Sequence, residues 1–121
     1  PPFISNLNAF FDQFLGTALL IILILTLTDN QNKVIDLNIS PLLVGLGVVA
    51  IGMSFGGNAG YAINPARDFG PRLASSIFGW GTVVFTAHNY YFWIPIAAPI
   101  LGGIAGSYVY DFFLGSRLDK D

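Results

Sequence analysis

Asn64, Pro65, Ala66, Arg67 and Asp68 stand together where almost nothing else carries charge: between Leu37 and Phe92 the charged residues are Arg67, Asp68 and Arg72 alone. Asn is a favoured N-cap residue, and Pro suits the first helical position because its missing N–H would have no partner there. A helix is therefore predicted to start at Pro65. Ahead of it, Gly56, Gly57 and Gly60 argue against continuous helix or strand, so residues 57–63 are expected to be irregular, with exposed backbone carbonyls. An arginine at membrane depth costs roughly 2.5–3.5 kcal/mol on insertion scales, so it normally faces water or a partner. Bare carbonyls in an apolar slab carry the same demand. The chemistry on offer is hydrogen bonding to something small and wet, beside a fixed positive charge.

The rest of the chain decides whether the slab is a membrane. Its 121 residues are 54% hydrophobic and 10% charged, against a usual charged share of about 25%. So few charges cannot clothe a soluble surface. A net charge of -2 leaves no basic stripe for nucleic acid. Cysteine is absent, which excludes disulfides and thiolate chemistry. The opening Pro1-Pro2, with no methionine or signal pattern, points to a piece of a longer protein.

Three spans are expected at about 7–28, 41–56 and 92–114, with an irregular approach and half-helix at about 57–78 between the last two. Ser40 is expected to cap the second span, with Pro41 at its first position. Gly45, Gly47, Gly52 and Gly56 suit close helix contacts, as do Gly102, Gly103 and Gly106. Pro99 makes a kink plausible in the third span. Trp80, Phe92 and Trp93 suit the membrane interface. Lys33 follows the first span, and Arg117 and Lys120 follow the third, which by the positive-inside rule puts the 29–40 loop and the C-terminus in the cytoplasm. The segment 56–91 then enters from the outer face and returns to it. Asn38-Ile39-Ser40 fits a glycosylation acceptor, and occupancy there would invert this topology.

Gly60-Tyr61-Ala62-Ile63 before Asn64-Pro65-Ala66-Arg67-Asp68, with Phe69-Gly70-Pro71-Arg72 after, resembles the C-terminal half of an aquaglyceroporin, of the aquaporin or major intrinsic protein family. Phe11 to Ala18 is similar to the fourth helix of that family, residues 41–56 to the fifth, and Trp80 to Gly115 to the last loop and sixth helix. The resemblance implies an all-α membrane protein: three transmembrane helices plus one re-entrant half-helix, half of a six-helix aquaporin fold. It also implies a homotetramer of pores and a complementary N-terminal half with its own Asn-Pro-Ala.

In such a pore, Asn64 capping its own helix would turn its amide NH₂ toward the lumen. The positive helix end opposes protons and cations, a mechanism known for aquaporins. Arg67 would add a full charge, and the carbonyls of Gly60, Tyr61 and Ala62 a row of acceptors. The implied function is a passive channel for glycerol, other small polyols and water, with urea also able to pass, and no cofactor. Asp68 resembles the glycerol-conducting branch. Gly52 matches a filter position that is bulky in water-specific members, and Tyr61 a filter-region aromatic. Gln13 is similar to the residue that buttresses the re-entrant loop, where other members often carry Glu.

Simpler readings stand beside these. Asn64 is at least a helix cap, Asp68 and Arg72 are an i,i+4 pair, Asp12 is an interface residue, and His88 a loop residue with no second histidine to hold zinc. No Ser-His-Asp grouping points to an enzyme. The single Asn-Pro-Ala also admits a non-conducting half-subunit that assembles with intact channels. Broken helices mark secondary transporters as well, for which Asp68 would be the titratable carboxylate.

Overall fold

The computed structural model describes residues 4–31 and 38–116. Lys33, Arg117 and Lys120, on which the orientation rests, lie outside them. Helix α1 spans Asn6–Thr28, α2 Ser40–Ala59, α3 Pro65–Ser75, α4 Val83–Tyr90 and α5 Ile94–Tyr110. Three stretches, Asn6–Thr28, Ser40–Ala59 and Val83–Gly115, are long and apolar enough to cross a membrane, the last interrupted at Ala87–Tyr90, where the backbone leaves the helix. At 11 residues, α3 is about 16 Å long at 1.5 Å per residue, roughly half the ~30 Å hydrocarbon core. It reaches the middle of such a slab and cannot cross it.

Each boundary has a local cause. The Ser5 hydroxyl caps α1 by accepting from Asn8 N–H at 3.2 Å. Ser40 does not cap α2, as the sequence led us to expect, because it is already the first helical residue and Ile39 holds the cap position. Its buried hydroxyl instead donates to the Leu27 carbonyl at 2.7 Å, one of the end carbonyls that α1 leaves unpaired. Helix α2 also runs through Gly56 and Gly57 to Ala59, so the irregular stretch is 60–64 rather than 57–63. The aromatic ring of Tyr61 covers Gly52 and Gly56, where a Cβ would meet it at 3.1 and 2.7 Å. The glycines are there for that ring. Helix α3 passes through Gly70 and Pro71 before a wide turn at Ser76–Trp80, and α5 continues through Pro99.

Glycine also sets the helix pairing. Helix α5 lies along α1 so closely that a Cβ on Gly106 would stand 2.6 Å from the Ala18 carbonyl oxygen, and one on Gly102 would enter the Phe14 carbonyl. Without a hydrophobic drive between helices in lipid, such backbone approach is what associates them. Ala9, Ile94 and Ala98 form the buried centre of the contact, with Phe10, Phe14 and Tyr91 packed against it. At the far end, Tyr110 donates its hydroxyl to Asp29, at 2.5 Å.

The Tyr110 hydroxyl, and next the Gln31 N–H, hold the Asp29 carboxyl below its usual 3.8. A depressed carboxyl contributes its stabilisation above the unfolded value and loses it as pH falls through the folded one. Tyr110→Phe is accordingly expected to move the Asp29 titration up toward 3.8 in a carbon-13 carboxyl NMR titration. Gly106→Leu is expected to cost about 1–3 kcal/mol or more by overpacking, seen as a lower melting temperature in detergent. Gly45→Ala, where a Cβ meets nothing within 4 Å, is the control expected to melt with the parent.

Candidate functional site

The site lies where α2 stops and α3 begins. Gln13, projecting from α1 and wholly buried at 0% exposure, binds this junction at both ends of its amide. Its Nε2 donates to the Ala59 carbonyl at 3.3 Å and to the Gly60 carbonyl, while its Oε1 accepts from Ile63 N–H at 2.8 Å. Asp12, one residue earlier, accepts from Ala59 N–H at 3.3 Å and from the Asn58 amide at 3.4 Å. It is a partner of the end of α2, not merely an interface residue. Tyr91 donates its hydroxyl to the Ala59 carbonyl at 2.7 Å.

Asn64 then starts α3. Its Oδ1 accepts from Ala66 N–H at 2.9 Å and Arg67 N–H at 3.2 Å, which engages the acceptor of this exposed residue and leaves only its NH₂ to offer. Pro65 occupies the first helical position. Arg67 folds back from the first turn, so that its Nη1 donates to the Tyr61 carbonyl at 3.1 Å and its guanidinium carbon lies 4.8 Å from the centre of the Tyr61 ring. Tyr61 is thus held between the glycine face of α2 and the cation. Val48, Val49, Gly52, Met53, Tyr61 and Arg67 line one cavity of 460 Å³.

The carbonyl row expected from the sequence is altered by this wiring. Gly60 directs its oxygen to Gln13 and Tyr61 its oxygen to Arg67, each leaving one lone pair, while nothing pairs the Ala62 oxygen within the described residues. Asp68 does not face the cavity. Both its oxygens accept from Arg72, through Nε and Nη2 at 2.8 Å each, and Arg72 Nη1 donates to the Val84 carbonyl at 2.6 Å. The pair ties α3 to α4. His88, Asn89 and Tyr90 all have left-handed backbone angles, and Asn89 is fastened by the Asn6 amide donating to its carbonyl at 2.8 Å. Among the described residues no group of His, Cys, Asp or Glu could hold a metal. Nothing in the sequence distinguishes Tyr91 from the aromatics around it. Only its distance from Ala59 marks it.

Similarity to known proteins bears on what such a junction is for. The major intrinsic protein family matches residues 1–110. Aquaglyceroporin-2 of Rhizophagus irregularis is 46% identical over 113 residues, covering 93% of this chain and 36% of that protein. Aquaporin-10 of Homo sapiens is 42% identical over 113 residues, 93% of this chain and 38% of its own length. The crystal structure of the aquaglyceroporin from Plasmodium falciparum superposes with a TM-score of 0.88 at 38% identity, over 99% of this chain and 50% of that one. The chain spans less than two fifths of these two sequence relatives and half of the solved structure.

The cap geometry separates two roles of Asn64. Asn64→Ala is expected to destabilise by about 0.5–2 kcal/mol through loss of the cap, whereas Asn64→Asp, an equally good cap, is expected to melt close to the parent. An Asn64→Ala protein as stable as the parent would remove the cap from the account.

Proposed function

The chain belongs to the major intrinsic protein family, and from that premise we propose that it supplies one half of a passive transmembrane pore for glycerol and other small neutral polyols. Water and urea pass too, and ions and protons are held out. The observation that carries this reading is the state of Asn64. With its oxygen spent on two backbone N–H groups, it can present only donors, at a positive helix end. A passing hydroxyl oxygen accepts from them; a cation finds no ligand and is repelled. Arg67 adds a full charge beside the tip. Gly52, having no side chain, lets the Tyr61 ring lie against α2, and both line one cavity with Arg67. Asn64, Pro65, Ala66, Arg67, Gly52, Tyr61 and Ala62 form the conducting surface in this reading. Gly60 and Gly56 shape it, Gln13 supports it, and Asp68 supports it through Arg72.

The remaining wall comes from a complementary half. Helix α2 bears an apolar stripe of Leu42, Leu46, Val49 and Met53, with Met53 84% exposed, which is the surface such a half would cover. Four pores assemble in a tetramer, and the basic residues orient the C-terminus to the cytoplasm. The same stripe also fits the second reading, a half-subunit that joins intact channels without conducting.

Stopped-flow light scattering on proteoliposomes tests this. The protein containing this chain is expected to let vesicles swell in a glycerol gradient with no ion gradient present, while the 121 residues alone are silent. Glycerol flux that needs sodium or protons would exclude a channel. Arg67→Ala is expected to raise proton or cation leak on the order of tenfold, ~1.4 kcal/mol of barrier. An unchanged leak would remove Arg67 from the charge filter.

A further inference from the structure

Gln13 does two opposite things at once. One end of its amide donates to the Ala59 and Gly60 carbonyls, and the other accepts from Ile63 N–H. An ionised carboxylate of the same shape could only accept. It would keep the bond from Ile63 and set negative charge against two carbonyl oxygens. The two carbonyls are not equally exposed to that change. Ala59 has a second donor in Tyr91, at 2.7 Å. Among the described residues, the Gly60 carbonyl has no donor but Gln13.

The neighbouring groups do not replace it. Asp12 is acceptor only and already holds Ala59 N–H. Tyr91 is committed to Ala59, Arg67 to the Tyr61 carbonyl, and Asp68 and Arg72 to each other. His88 lines the 490 Å³ cavity beside Gly60, but donates no bond to that carbonyl. Gly60 itself is poised to turn. It sits at φ 73°, ψ 164°, where a side chain would resist, and a Cβ there would meet nothing within 4 Å.

We infer that Gln13 is a specificity-determining positioning residue, whose neutral amide sets the direction of the Gly60–Tyr61 peptide and with it the number of acceptors offered to a permeating polyol. With the amide in place, the Gly60 carbonyl is drawn back to α1. With an acceptor in its place, the peptide turns: the Tyr61 N–H swings toward position 13 and the Gly60 oxygen swings away from α1. The transport consequence rests on the pore reading above; the peptide orientation does not.

The test uses the full-length protein containing this chain and its Gln13→Glu variant. The variant's carboxyl, when protonated, can donate to Gly60 as the amide does, and when ionised it cannot, so only the variant acquires a pH-dependent loop. Between about pH 5 and about pH 9, its glycerol-to-water permeability ratio is expected to rise on the order of threefold, the worth of one net hydrogen bond. The parent ratio stays flat. Carbon-13 carbonyl glycine with nitrogen-15 tyrosine marks Gly60–Tyr61, the one Gly-Tyr pair among these 121 residues, its signal identified by its loss in Tyr61→Phe. Its carbonyl and amide shifts are expected to move with the same midpoint in the variant and not in the parent.

A variant whose shifts are flat across that range overturns the inference. If the variant does not fold, dipolar recoupling between the Gln13 side-chain nitrogen and the Gly60 carbonyl carbon in the parent still decides, and absence of close contact overturns it. A parent that carries no glycerol sinks the pore reading, and the two NMR measurements then judge Gln13 by themselves.

Discussion

Backbone that leaves the helix inside an apolar slab exposes N–H and C=O groups that water cannot reach, each worth several kcal/mol if left bare. Here the break comes at residues 60–64, and a single buried amide on a different helix fastens it at Gly60 and Ile63. Gln13 takes the Gly60 carbonyl and the Ile63 N–H from that break, and shares the Ala59 carbonyl just before it. Asp12 and Tyr91 take the last N–H and carbonyl of α2. Among the described residues no buried side-chain nitrogen or oxygen lacks a partner. The break is thus tied to α1 through Gly60 and Ile63, just ahead of the Asn64 cap that starts α3.

From that fixed point the polarity of the tip follows. Asn64 has its acceptor engaged by the start of α3, so only its donors remain. Arg67 is held by its own loop, through the Tyr61 carbonyl and ring, instead of reaching for an anion. Asp68, in the first turn of α3, is paired with Arg72 through two bonds. The tip thus combines the Asn64 donors and the Arg67 charge with the remaining carbonyl lone pairs of residues 60–62.

None of this would stay in register without the glycine contacts. Gly102 and Gly106 let α5 press against the α1 backbone, which carries Tyr91 to Ala59 on one side and keeps Gln13 aimed at Gly60 on the other. Gly52 and Gly56 do the corresponding service for Tyr61. The outer stripe of α2, by contrast, is covered by nothing among the described residues, as fits a family whose members extend well beyond the length matched here.

The amino-acid sequence alone determined the elements: three apolar stretches long enough to span, one too short, an Asn-Pro start and an i,i+4 ion pair. These are local properties, set by propensity, capping and hydropathy within a few residues of where they act. It misplaced the end of α2, because two glycines read as a break when in fact the helix runs on through them and Gly56 accommodates a ring from five residues further on. It also gave Ser40 the wrong partner and left Tyr91 unmarked. Those outcomes depend on tertiary contacts, over 13 positions for Ser40 with Leu27 and over dozens for Tyr91 with Ala59 or Gln13 with Gly60. Which lone pair of a carbonyl is taken, and which is left, is decided only when the helices close on one another, since a backbone group has no preference for a partner until one is brought within about 3 Å.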